Sequence, residues 1–522
     1  MAEVGVFRLG EQQTGRLKTG GNVRAWVFGI IALLSFSVTL QAADTLLKNV
    51  VIYDGTGAVG RAGDVRIHGD RITEIGKNLK PKPGETVRDE KGMAIAPGFI
   101  DMHSHADGEI LEDLDAENST RQGITTVLVG QDGESKFPLA NFLDTLDKTP
   151  AALNVASMVG HGTLREQVMD AKNRLRKATP EEIAKMKELL AQELKAGAFG
   201  LSTGLEYDPG HFATTEELID LSKLAAANGG FYISHVRDEG NNVFESYREI
   251  VEIGKQAKIP VEITHIKLGV PAVWGGTTTR MPQVFKDAKK DGVDLRADVY
   301  PYTYWQSNLR VIILNRDYYN PVAVEKALEE SGGADHIWIT GYKPDPSVVG
   351  ETMAEIAKAW GLSPVETYIK MAKMIDVDPE NEASIMAQSM NEDDVRWFVS
   401  QPNIAFCSDG GLKDRHPRGA GSFPKVLGRY VREQKALPLE MAIHKMTGLA
   451  ADHIGLKDRG YVKEGYVADL VVFDPATVAD KSTIEKPQEP PVGILDVMVS
   501  GELVVANGKV TGAHSGKVLR KK

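Results

Sequence analysis

Between positions 98 and 409 the chain carries eight apolar runs of strand length, at 98–105, 124–130, 154–161, 198–205, 231–237, 261–267, 295–302 and 404–409. Continuous apolar runs of this kind suit strands buried on both faces. Between several of them the pattern changes to helical spacing. The stretch 180–196 opens on Thr179-Pro180-Glu181-Glu182, with threonine at the N-cap, proline at the first helical position and acids in the first turn. The stretch 215–227 opens on Thr214-Thr215-Glu216-Glu217, again capped and acid-first. Strands alternating with helices build a parallel sheet, and eight of them favour an α/β fold closed into a (β/α)8 barrel, the TIM barrel, over an open sheet. The gap before the last strand is the longest. It holds Ile337-Trp338-Ile339-Thr340 and helical stretches at 353–360 and 364–374. It reads as an insertion at about 337–395 that covers the barrel mouth.

The two ends of the chain have another texture. Short alternating runs with tight turns occur at 49–55 and 64–72, and again at 468–475, 494–501 and 503–505. They predict a small β-sandwich domain assembled from residues 44–97 and 456–522 around a barrel spanning 98–455. Ahead of them, Arg16, Lys18 and Arg24 precede an uncharged run, 26–40, followed by Gln41-Ala42-Ala43. A basic region, an apolar region and a small-residue exit form the pattern of a secretory signal peptide, here residues 1–43. The apolar run is shorter than the roughly 20 residues that span a bilayer. The expectation is export to a bacterial periplasm, with no stable membrane span once the signal is cleaved.

Composition narrows the partners. Hydrophobic residues make up 42% of the 522 and charged residues 25%, which is ordinary for a globular protein. The net charge is −11 and no basic block stands out, so nucleic acid is not an expected partner. The one cysteine, Cys407, excludes an intrachain disulfide and a cysteine-rich zinc module.

The sharpest chemical signal is Pro97-Gly98-Phe99-Ile100-Asp101-Met102-His103-Ser104-His105. Residues two apart on a strand share a face, so His103 and His105 stand side by side at the C-terminal end of barrel strand one, the catalytic mouth. His235, His265 and Asp409 repeat the placement at the ends of strands five, six and eight. Neutral imidazoles and a carboxylate converging on one point make a mononuclear or binuclear metal-hydrolase constellation. His161 follows strand three and either lines the mouth or caps a loop. Cys407 lies two before Asp409 on the strand and reads as a small buried hydrophobe.

These residues make the chain resemble the amidohydrolase superfamily, and within it the D-aminoacylase (N-acyl-D-amino-acid deacylase) family. The stretches that carry the resemblance include 96–105, Ser202-Thr203-Gly204-Leu205-Glu206-Tyr207, Ser234-His235-Val236-Arg237-Asp238-Glu239, Asp298-Val299-Tyr300-Pro301-Tyr302, Cys407-Ser408-Asp409-Gly410 and Pro417-Arg418-Gly419. The resemblance implies a metal position formed by His103, His105 and Asp409. It implies a second formed by His235 and His265, which in this family usually holds the tight zinc. One or two zinc ions per chain are expected. The family completes its ligand set with a cysteine after strand two, and this sequence has Asp132 there. A carboxylate can take that role, with less selectivity among zinc, manganese and cobalt than sulfur gives. Glu206 is a second candidate for the missing ligand. The carboxylated lysine that other superfamily members carry on strand four has no counterpart in 198–205.

The reaction implied is hydrolysis of the amide of an N-acyl-D-amino acid. Zinc lowers the pKa of a bound water from 15.7 towards about 7. Asp409 is the expected general base and then acid, the leaving amine being poor without a proton. Lys267, Tyr207, Tyr302 and, more weakly, Arg418 are candidates for the substrate carboxylate. Two alternatives remain at this stage: a related amidohydrolase acting on cyclic amides or dipeptides, and a periplasmic metal-binding protein without catalysis.

Overall fold

The computed structural model describes residues 44–171, 173–378 and 381–522, so the expected signal segment lies outside the described residues. Eight parallel strands form the barrel: Phe99–Asp101, Ile124–Val129, Asn154–Ser157 continued by Val159–Gly160, Gly200–Gly204, Phe231–His235, Val261–Ile263, Leu295–Val299 and Ile404–Phe406. Each pairs in parallel with its neighbours. The third strand is one strand interrupted at Met158, whose N–H donates to Val129. The ring closes where Asp409 donates to the His103 carbonyl at 2.9 Å and His105 to the Gly410 carbonyl at 3.0 Å. Three of the histidine and aspartate candidates, His103, His105 and Asp409, are therefore part of the seam itself.

The strands are buried on both faces, as in Ile124–Val129, where every residue is enclosed. Helices cover them. Pro180–Ala196 has the capping box its sequence announces, Thr179 accepting from the Glu182 N–H while Glu182 reaches back. It presents Met186, Leu190 and Leu194 inward at four-residue spacing and ends at Gly197, whose φ of 118° only glycine adopts without strain.

The two chain ends meet in one mixed nine-stranded sheet. Its joint is Ala94–Pro97 running antiparallel to Leu470–Phe473. Alternation decides which way each residue faces. Ala94, Ala96, Val471, Phe473, Val497 and Val499 join the barrel core. Ile95, Leu470, Val472 and Met498 turn the other way and enclose a separate core with Leu47, Val65 and Ile67. Buried Arg459 pairs with Asp469, which also accepts from Asn154 on strand three at 2.9 Å. Residues 516–519 then run along that strand, Val155 donating to the Lys517 carbonyl at 3.0 Å and Leu519 to the Val155 carbonyl at 2.8 Å.

The insertion between strands seven and eight is an antiparallel sheet of Tyr304–Asn308, Ala383–Gln388 and Ile337–Tyr342, with helices Pro321–Glu330, Met353–Trp360 and Pro364–Ile375. Its core is its own: Leu309, Ile339, Ile356, Tyr368 and Ile385. The first strand of this sheet starts at Tyr304, well before residue 337. Its sequence, Tyr-Trp-Gln-Ser-Asn, has no alternation to announce a strand. No helix among the described residues is long and apolar enough to cross a membrane.

Candidate metal centre

The strand ends deliver their side chains to one point. The Nε2 atoms of His103 and His105 are 3.2 Å apart. Asp409 Oδ1 lies 3.4 and 3.3 Å from them, and Asp132 Oδ2 lies 3.6 and 3.5 Å from them. The other oxygen of Asp132, Oδ1, faces the second pair: 3.2 Å from His265 Nε2 and 3.9 Å from His235 Nδ1. Those two imidazole nitrogens are 3.1 Å apart. Asp132 thus divides its two oxygens between the two groups, the arrangement of a bridging ligand. Donor atoms of His103, Asp132, His265 and Asp409 all lie within 4.8 Å of one another, and so do those of His235, Glu239 and His265.

The backbone is bent to achieve this. Asp132, His265 and Asp409 have φ of 54°, 35° and 52°. Non-glycine residues seldom enter this left-handed region, and each costs on the order of 1–3 kcal/mol there. Three such residues among the donors mean that surrounding packing holds the strand ends in place.

The histidines are aimed by what lies behind them. His103 donates through Nδ1 to the Thr264 hydroxyl at 2.6 Å, and Thr264 donates in turn to Asp298 at 3.0 Å. That leaves His103 Nε2 free for the centre. His235 has the opposite tautomer. Its Nε2 donates to Glu206 at 3.1 Å, leaving Nδ1 inward. Glu206 therefore orients His235 from behind and is not placed among the inward donors. Loss of such an outer carboxylate weakens metal binding by about 10–100-fold. Glu206→Gln, which keeps the shape and loses the charge, is expected to show that loss in a chelator-competition titration while keeping the fold. A zinc affinity equal to that of the parent enzyme would remove Glu206 from this role.

Charge in the centre is already arranged for a cation. Burial holds His103 neutral, well below the ordinary imidazole range. Burial disfavours charge on Asp132 and Asp409 as well, but for Asp132 the neighbouring imidazoles, and for Asp409 Arg418 and the imidazoles, outweigh it, so both carboxylates stay ionised far below their usual range. Burial also opposes charge on His105, yet Asp132 and Asp409 raise its pKa. Zinc requires deprotonated carboxylates, which the site supplies, and it would displace the proton that the carboxylates favour on His105. The residues fit a binuclear zinc centre.

A cavity of about 520 Å³ opens from the centre, lined by His105, Asp132, Glu206, Tyr207, Lys267 and Arg418 among others. Lys267 is buried and held by Glu239 at 2.6 and 2.8 Å. Its Nζ also lies 2.8 Å from His265 Nδ1. The Tyr207 ring sits 4.4 Å from that of His235, and its hydroxyl accepts from Ser307 at 3.2 Å. Arg418 donates to Asp409, and its Nε is buried with no partner among the described residues.

Two other candidates are placed elsewhere. The Tyr302 hydroxyl turns to Asp480 and Ser482, at 3.4 and 3.3 Å, and does not line the cavity. Pro301 ends the strand before it, so two-residue alternation no longer carries past that point. The residue that faces the cations is Tyr300, whose ring centroid lies 5.7 Å from Lys267 Nζ and 4.9 Å from the Arg418 guanidinium. Its hydroxyl is buried with no partner among the described residues. His161 opens the helix His161–Val168 and is buried against Glu217 at 2.9 Å, where Arg165 joins the same carboxylate. It lines the protein core. Cys407 is likewise buried, and burial pushes its thiol well above the usual range. Glu239 had no assigned role in the sequence, although its spacing of four from His235, just past a strand end, was there to read.

The comparisons with known proteins agree with this geometry. The Amidohydrolase family model matches residues 86–318 and 345–505. The D-aminoacylase of Alcaligenes xylosoxydans xylosoxydans is 37% identical, over 92% of this chain and 98% of that one. From the same organism, N-acyl-D-aspartate deacylase is 36% identical over 91% and 95%, and N-acyl-D-glutamate deacylase 34% identical over 92% and 97%. Among solved structures, the N-acyl-D-glutamate deacylase of Bordetella bronchiseptica, complexed with zinc and a phosphonate mimic of the tetrahedral intermediate, superposes with a TM-score of 0.81 at 34% identity, covering 92% of this chain and 99% of that one. A D-aminoacylase described by its binuclear metal center gives 0.81 at 36% identity, covering 92% and 100%.

Proposed function

The chain belongs to the amidohydrolase family, and from that premise we infer that it is a zinc-dependent hydrolase of the amide bond of N-acyl-D-amino acids, releasing a carboxylate and a free D-amino acid. The observation that carries this reading is the four-histidine, two-aspartate centre, joined to full-length similarity with three deacylases of that class.

Zinc, when bound, supplies a water activated at neutral pH and polarises the acyl carbonyl. The remaining work falls to side chains. Asp409 stays ionised beside Arg418 and His105, so it is ready to take a proton from the attacking water. It then returns that proton to the leaving nitrogen, without which an amide does not expel its amine. Lys267 and Arg418 are the two cations at the centre, and each is held by a site carboxylate, Glu239 or Asp409. The substrate carboxylate binds by taking N–H donors from both, with the Arg418 Nε, which has no partner among the described residues, at hand. Tyr207 closes the side of the cavity beside His235.

Metal removal with a chelator is expected to abolish hydrolysis of N-acetyl-D-amino acids, and added zinc to restore it. The L-enantiomers should be cleaved at less than about a hundredth of the rate, the range that misplacement of a reacting group by an ångström costs. Cleavage of L-substrates alone, or activity that survives with no metal by elemental analysis, contradicts the reading. We further propose that the chain is exported to a bacterial periplasm, on the strength of the basic, apolar and small-residue pattern of residues 16–43. N-terminal sequencing of protein from a periplasmic fraction tests this. A mature start near Asp44 supports it, and recovery only from the cytoplasm overturns it.

A further inference from the structure

Barrel strand six ends in a bulge, and the bulge aims a metal ligand. Along this strand the Val261 N–H donates to the Asp294 carbonyl of strand seven. A parallel ladder advances two residues per bond, so the N–H of residue 265 would meet the carbonyl of residue 298. Ile266 takes that place instead, donating to the Asp298 carbonyl at 2.8 Å. One residue is extra, and it is His265, whose φ is 35°. A bulge of this kind turns a side chain in a new direction and leaves an N–H out of the ladder. The buried His265 N–H takes the Asp298 side chain as its acceptor, 2.7 Å from Oδ1. Without that carboxylate a buried donor would stand unpaired. The same carboxylate reaches the other metal position. Its Oδ2 accepts from the Thr264 hydroxyl at 3.0 Å, and that hydroxyl accepts from His103 Nδ1 at 2.6 Å. A hydroxyl has one proton, so an acceptor at Asp298 keeps a lone pair of Thr264 turned to His103 and its Nε2 turned to the centre. Asp132 ties the two positions together on the cavity side. Asp298 ties them from beneath, and it lies outside the lining of the cavity.

Resting on the zinc centre inferred above, we propose that Asp298 is a positioning residue shared by both metal positions. It fixes the His265 backbone directly and the His103 ring through Thr264, and it touches neither the substrate cavity nor the inward donor atoms. The test is a chelator-competition titration of the zinc-loaded full chain, with zinc content read by elemental analysis. Thr264→Val keeps the shape of threonine and removes the hydroxyl, so His103 loses its acceptor while the bulge at His265 keeps its own. One of the two zinc-binding steps should then weaken by about 10–100-fold, the cost of losing an outer partner of a ligand. Thr264→Ser keeps the hydroxyl and should bind both ions as the parent does, a recovery that the lost methyl group cannot produce. Asp298→Asn sets an amide N–H against Thr264 and takes the charged acceptor from both bonds, so both steps should weaken by about 10–100-fold. Both ions held as tightly as in the parent, by Thr264→Val or by a folded Asp298→Asn, overturn the inference and leave the zinc reading standing. Equal losses in Thr264→Ser and Thr264→Val overturn it too, because the hydroxyl then plays no part. If Asp298→Asn does not fold, the two threonine variants decide. A parent chain that binds no zinc overturns the zinc reading together with this inference.

Discussion

An Asp409→Asn enzyme is expected to keep zinc at the His235–His265 position, which Asp409 does not serve, and lose about a thousandfold in kcat, within the range that a positioned acid–base group supplies. The amide keeps the shape of the carboxylate. Asparagine also tolerates the left-handed backbone at this position, where φ is 52°, so no strain is added. What disappears is the negative charge held beside Arg418 and 3.3 Å from His105 Nε2, and with it the group that accepts the proton. Arg418 is then released, so KM for the N-acyl amino acid should stay level or fall. The split between kcat and KM, read beside metal content, distinguishes this from general damage to the site. Turnover within about tenfold of the parent, with metal retained, would show that the proton is carried by another group.

The second large effect is expected at Asp132. Because its Oδ2 faces the His103–His105 pair and its Oδ1 faces His265, one substitution disturbs both metal positions. Loss of a group that merely orients a ligand costs about 10–100-fold in affinity, so loss of the shared ligand should cost at least about 100-fold at each position. Asp132→Asn isolates the charge, since asparagine accepts the φ of 54°. Asp132→Cys replaces a hard oxygen by a soft sulfur and should favour zinc over manganese. Elemental analysis after dialysis against a chelator checks all three proteins. Two ions retained by the Asp132→Asn variant would mean that the carboxylate bridges nothing.

Most of the barrel was legible because its strands are buried on both faces and so appear as unbroken apolar runs. The histidines and Asp409 could be placed because each follows such a run directly, and a strand end fixes a direction. Asp132 also follows a strand, and its role could be read as a substitution at a known position. Legibility failed where the chain leaves regular structure. Tyr300 and Tyr302 look equivalent by alternation, and Pro301 between them removes the rule. His161 sits at a strand end but starts a helix, and the turn carries its ring into the core against Glu217. Glu206 was recognised as belonging to the centre, yet only the tautomer of His235 reveals that it stands behind the ligand. The insertion's first strand was missed because its partners, Ala383–Gln388 among them, lie far along the chain and supply the pairing that its own sequence does not announce.

The way the chain ends are stitched together has a kinetic consequence. Lys517 donates to Asn154 across 363 residues, and the same asparagine donates to Asp469 across 315. Barrel strand three therefore receives its final hydrogen bonds from residues made long after it. Contacts of such sequence separation are slow to find, because the intervening chain must be confined before they form. Local helices such as Pro180–Ala196 form from neighbouring residues, but the bonds that 516–519 gives to Val155 wait for the end of the chain. The edge of strand three at Val155 is thus covered only once the segment at 516–519 has docked.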